Sequence, residues 1–90
     1  MAYQYPIDAE WSVADMTTVI QFWNLVEQAY EDQVDVADLL AGYRAFKTVV
    51  PMKMDEKRLD RAFEAASGYS VYQTIKQATQ TQQKTLKMKK

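Results

Sequence analysis

Apolar residues recur along this chain at helical rather than alternating spacing, and turn residues divide them into four segments. In the first, Met16, Val19, Ile20, Trp23, Val26 and Tyr30 share one face of a helix over 13–31. Ser12 supplies its N-cap, Asp15 sits at N3, and Trp11 with Met16 forms a hydrophobic staple. In the second, Asp35 caps a helix over 36–49 whose buried stripe is Val36, Leu39, Leu40, Tyr43, Phe46 and Val50. Pro51 stops it and pushes Val50 out of helical geometry. Gly42 lies mid-helix, where glycine costs about 0.5–1 kcal/mol relative to alanine, and is read as a close helix crossing. A third helix over 55–67 buries Leu59, Ala62, Phe63 and Ala66 and ends before Gly68. The fourth, over 71–80, opens with a Ser70/Gln73 capping box and carries Val71, Tyr72, Ile75 and Ala78.

The predicted fold is therefore all-α, a small bundle of three to four antiparallel helices forming one domain over 1–80. Ahead of it, YQYPIDAEWS places three large aromatics and a proline before the first helix. Residues 1–11 are accordingly expected to lie across the bundle as an ordered strap, with Pro6 fixing an extended approach and Tyr3, Tyr5 and Ile7 offering apolar surface. Behind it, TQTQQKTLKMKK turns polar and then basic, and residues 81–90 are expected to be a frayed or disordered tail.

Composition narrows the chemistry. Ninety residues with 48% hydrophobic and 26% charged side chains describe one folded domain with a modest core. The absence of cysteine and histidine removes the common zinc ligands, the reactive thiol and the imidazole acid/base. Neither glycine belongs to a phosphate-binding loop. The acidic run Glu27, Glu31, Asp32, Asp35 and Asp38 lacks the glycine and terminal glutamate of a calcium loop in register, and two of its acids sit where a helix N-terminus favours negative charge. Neither enzyme, cofactor nor metal is expected. No stretch approaches the roughly 18–20 apolar residues of a membrane span, so a cytoplasmic protein is expected.

The net charge of -1 conceals an uneven distribution. Residues 1–43 carry eight acids and no base, whereas residues 44–90 carry eleven bases against four acids. Such halves attract one another within a chain or between two, so the expected function is a non-catalytic interaction module that binds a partner protein or itself as a homodimer. Tyr3, Tyr5, Tyr69 and Tyr72 are the least tied to the core periodicity and are the candidate partner surface. The alternative is a weak nucleic-acid-binding or regulatory protein using the basic tail, Lys84, Lys87, Lys89 and Lys90. The bases of the third helix are answered at i,i+3 by acids, in Asp55/Arg58, Lys57/Asp60 and Arg61/Glu64, which describes a solvated face.

Three stretches also carry a family resemblance: YQYP followed closely by WS, YRAFKTVVP at 43–51, and SGYSVY at 67–72. Together they resemble the YktA-like proteins, the uncharacterised family UPF0223 of small proteins from low-GC Gram-positive bacteria. The resemblance covers roughly the first eighty residues and implies a helical fold. It brings no activity, ligand or catalytic residue with it, and the glutamine-rich, lysine-ended tail matches no part of its pattern.

Overall fold

Three helices begin at a side-chain cap, because the first N–H groups of a helix have no partner within it. Ser12 accepts from the Asp15 N–H at 3.1 Å, Asp35 from Asp38 at 3.2 Å, and Ser70 from Gln73 at 3.1 Å. The computed structural model describes residues 7–89 and runs α1 (Val13–Glu31), β1 (Val34–Asp35), α2 (Val36–Val49), α3 (Lys53–Ser67), α4 (Val71–Gln80) and β2 (Thr85–Leu86). The protein is a small all-α bundle of four helices, to which two short antiparallel strands add a clasp.

The third helix starts two residues earlier than the spacing predicts. Met52 offers no side-chain cap, but its carbonyl accepts the Glu56 N–H at 3.0 Å, and Asp55 and Glu56 place negative charge in the first turn. Its inward face also differs: Ser67 is buried while Ala66 is exposed. The Ser67 hydroxyl escapes desolvation cost by donating to the Phe63 carbonyl at 2.7 Å and accepting from the Tyr69 N–H at 3.1 Å. Gly68 then turns the chain at φ 81°, a left-handed conformation in which a side chain would be strained.

The core is built on α1, which buries a wider face than one stripe. Trp23 stacks on Phe63 at 5.3 Å, and Phe22, on a neighbouring row, meets Phe46 at 5.0 Å and Tyr43 at 5.6 Å. Both α1 rings are completely buried, together with Val19, Val26, Ala29, Leu39 and Phe46. At the α1–α2 crossing a Cβ on Gly42 would meet Phe22 in ordinary contact, 3.8 Å from its Cα, and only the flexible end of Leu25, with Cδ1 at 2.7 Å, would have to move. Trp11 packs half-buried against this core ahead of the Ser12 cap. Ile7 is 43% exposed; Tyr3 and Tyr5 lie outside the described residues.

The expected frayed tail is the principal correction. Leu86 pairs with Val34 and Thr85 with Asp35, while the Met88 N–H donates to the Ala29 carbonyl at 2.7 Å and Lys84 accepts from Val36 at 2.8 Å. Leu86 and Met88 are 7% and 4% exposed, and Thr85, Lys87 and Lys89 between and beyond them face water. That alternation is a strand pattern, with the inward residues closing the end of the core beside β1. Basic composition concealed it, because two apolar side chains suffice to dock a segment whose other residues are charged.

Candidate functional site: a cleft between α2, α3 and α4

Tyr43 lies three residues before Phe46 on α2 and is only half-buried, its ring edge reaching from the core toward α3 and α4. Its hydroxyl donates to Glu56 Oε2 at 2.7 Å, and Lys47 Nζ, one turn further along α2, binds Glu56 Oε1. Burial by itself would raise the Glu56 pKa. The hydrogen bonds from Lys47 and Tyr43, with the charges of Lys47 and Lys53, outweigh it and hold the carboxyl below its ordinary value. Burial, the bond to Glu56 and the nearby negative charges push the Tyr43 phenol upward, so it stays a donor.

Asp60 projects from α3 one turn beyond Glu56 and is in the opposite condition. Its Oδ1 is buried and has no hydrogen-bond partner among the described residues. Burial first, and then the charge of Glu56, raise its pKa to about 7, with Glu64 adding to the rise and Lys47 opposing it. Side chains of α4 complete the surroundings: Val71, Tyr72, Ile75 and Lys76 enclose, with Tyr43, Glu56 and Asp60, a cleft of about 270 Å³. Tyr72 stands at its lip, 64% exposed, with Lys76 Nζ 6.0 Å from its ring centroid.

The candidate partner surface therefore divides. Tyr72 is exposed and lines the cleft, whereas Tyr69 is only 7% exposed and belongs to the core. Its ring stacks on Tyr30 at 4.6 Å and its hydroxyl donates to Glu31 at 2.7 Å, while the Tyr30 hydroxyl accepts the Ser70 N–H at 3.2 Å. Those bonds pin the α3–α4 turn to the end of α1, a structural task that consumes the tyrosine. Lys84, Lys87 and Lys89 are all exposed; Lys90 lies outside the described residues.

Sequence reasoning passed over Tyr43 as packing and Asp60 as half of a solvated pair with Lys57. Asp60 in fact turns inward, and of the three expected i,i+3 pairs Asp55–Arg58 closes, at 3.9 Å. A signal was present: Glu56 and Asp60 are four apart, on the row of α3 that also leads to Phe63, so both face α2 and α4 rather than water. Chemically the cleft offers one saturated carboxylate, one carboxylate with unused acceptor capacity, and apolar and aromatic walls. Two carboxylates whose pKa values are driven apart resemble an acid/base pair, and the hydroxyl beside Glu56 is the Tyr43 phenol, which that contact holds protonated as a donor. Among the described residues, no three carboxylates converge on a metal site, and no helix is long and apolar enough to cross a membrane.

The uncharacterised protein family UPF0223 matches residues 2–87. The chain belongs to that family. The UPF0223 protein of Oceanobacillus iheyensis is 47% identical over 88 residues, covering 98% of this chain and all of the relative. A UPF0223 protein of Streptococcus thermophilus is 54% identical over 76 residues, covering 84% of this chain and 82% of its own length. That of Lactiplantibacillus plantarum is 53% identical over 79 residues, with 88% and 81% covered. The UPF0223 match reaches residue 87 and so takes in the β2 clasp, which the motif resemblance had left outside.

Proposed function

We propose that this UPF0223 chain is a non-catalytic cytoplasmic interaction module that binds another protein or a second copy of itself, and that its contact surface is the cleft between α2, α3 and α4. The observation that carries the reading is a cleft lined by Val71, Ile75, Glu56 and Asp60 with the exposed Tyr72 at its lip. Tyr72 adds a large amphipathic ring, of the kind enriched at the energetic centres of interfaces. The test is capture of tagged protein from its own cells, alongside sedimentation of the purified chain. A stoichiometric partner, or a dimer, that is lost in Tyr72→Ala supports the reading; absence of both at physiological concentration overturns it.

A second reading, weak nucleic-acid binding, is favoured by the outward ridge of Lys84, Lys87 and Lys89. Truncating the segment is a poor test, because it also strips Leu86 and Met88 from the core. Replacing the three lysines with glutamine keeps the clasp, and unchanged binding in a low-salt shift assay would dispose of this reading.

A further inference from the structure

We infer that the α3–α4 side of this cleft docks an acidic, amphipathic segment of a partner protein, with the segment's apolar side chains on Val71, Tyr72 and Ile75 and its carboxylates against Lys57, Arg61 and Lys76. This inference rests on the interaction reading above and specifies the chemistry of the occupant.

Two hollows meet beneath Tyr72. One is the cleft already described, and beside it Lys57, Arg61 and Glu64 of α3 border a second of about 490 Å³ that shares Asp60, Val71 and Tyr72. The charges around them are unequally spent. Glu56 is neutralised by Lys47, and Asp60 turns inward, where a pKa of about 7 leaves it partly protonated at neutral pH. On the outer side Lys57, Arg61 and Lys76 are exposed and form no ion pair among the described residues, unlike Arg58, which meets Asp55. Three available cations therefore face water against one exposed acid, Glu64. The complement of such a rim is negative.

The floor asks for more than charge. Val71 is buried and Ile75 half-buried, and Tyr72 stands 64% exposed above them, a ring whose cover by an apolar side chain supplies contact energy that rim charges do not. Lys57 and Arg61 lie one turn apart on α3, so they match two carboxylates one helical turn apart on an occupant. A segment that interleaves acids with apolar residues at helical spacing covers both floor and rim, as helices laid into grooves do. Nucleic acid would meet the cations but would set a sugar–phosphate backbone, with no apolar side chain to bury, over Val71 and Ile75.

A second copy of this chain is a poorer match. Asp32, Asp35 and Asp38, three of its exposed acids, gather at the α1–α2 corner, where β2 lays Lys84 and Lys87 along the strand that ends at Asp35. Joining that corner to the groove would also be a head-to-tail contact, which leaves an unused surface at each end of a growing chain. An acidic segment on a different protein meets the three cations without those lysines.

The experiment titrates the full chain with a short acetylated helical peptide bearing leucines one turn apart and glutamates one turn apart beside them. In parallel it uses the same peptide with glutamine for every glutamate, following backbone amide shifts. Saturable shifts at 57–64 and 71–76 are expected, with a preference for the glutamate peptide of about tenfold that shrinks as salt rises. The preference should vanish when Lys57→Gln, Arg61→Gln and Lys76→Gln are combined, exposed positions whose change leaves the core intact. It should persist when Lys84→Gln, Lys87→Gln and Lys89→Gln are combined instead. Equal response to the two peptides, or none to either, overturns the inference, as does an oligothymidylate that displaces the peptide from the same residues with higher affinity. Sedimentation showing a dimer that the Lys57/Arg61/Lys76 variant loses gives the face to a second copy and overturns the choice of a different protein. A chain that captures a partner through Tyr72 while preferring neither peptide keeps the interaction reading and discards this one. A glutamate preference that the triple variant loses supports the groove's chemistry even where capture fails.

Discussion

Phe46 and Tyr43 sit three residues apart on α2 and are put to opposite uses. Around Phe46 the rings of Phe22 and Trp23 pack at 5.0 and 6.4 Å with no access to water. Around Tyr43 the chain assembles two carboxylates, a lysine and a half-open cleft. The first environment gains stability from every atom it buries; the second holds a desolvated acceptor that a core would exclude. One helix thus carries both an optimised interior and a surface where stability has been given up, and stability forgone at one place is a common mark of a site that meets something else.

The comparison breaks most readily at Phe46. Phe46→Ala should cost about 3–5 kcal/mol by denaturant unfolding, because the rigid surroundings of Phe22 and Trp23 will not collapse into the cavity. A loss below 1 kcal/mol would mean that the two faces of α2 are packed alike. Met88→Ala should cost about 2 kcal/mol in the same assay, extending the dry region to the clasp. No measurable change would return that segment to the frayed state the sequence predicted.

On the cleft side the sign reverses. The folded chain holds the Asp60 proton up to about pH 7, whereas the unfolded chain releases it near pH 4. The native state binds more protons between those values, so this group's contribution to stability declines as pH rises through that window. Glu56, held below its ordinary value, acts in the opposite sense at lower pH. Asp60→Asn should therefore stabilise the protein at pH 8 by about 1–2 kcal/mol, discounted for the part of the carboxylate that water screens, and leave it nearly unchanged at pH 4. Equal effects at the two pH values would remove the claim that the charge is desolvated. The smallest change is expected at the helix crossing. Gly42→Ala gains helix propensity of about 0.5–1 kcal/mol and must displace only the flexible end of Leu25, so thermal unfolding should move by less than the equivalent of about 0.5 kcal/mol.

The four helices were legible because each is announced twice, by an apolar row and by a cap or stop such as Ser12, Pro51 or Gly68. Phe22 was missed because α1 packs against several elements, and a single stripe at one spacing undercounts a helix buried on a broad face. The clasp was hidden for a different reason: β2 depends on the β1 edge, and its partner Val34 is distant in the chain. The site was less legible still. Asp60 has the i,i+3 spacing of a surface ion pair with Lys57, and that reading masked its place on the Glu56–Phe63 row, which turns it toward α2 and α4.

The clasp bears on time as well as on stability. Joining Val34 to Leu86 closes a loop of more than half the chain, whereas the α1–α2 contacts close over a short turn. Pairing so distant in sequence is expected to form after the folding barrier has been crossed. Interactions made there leave the rate of folding almost untouched and act on the rate of unfolding. Leu86 and Met88 would then work as a latch on the finished bundle, setting how long a molecule stays folded rather than how quickly it becomes so.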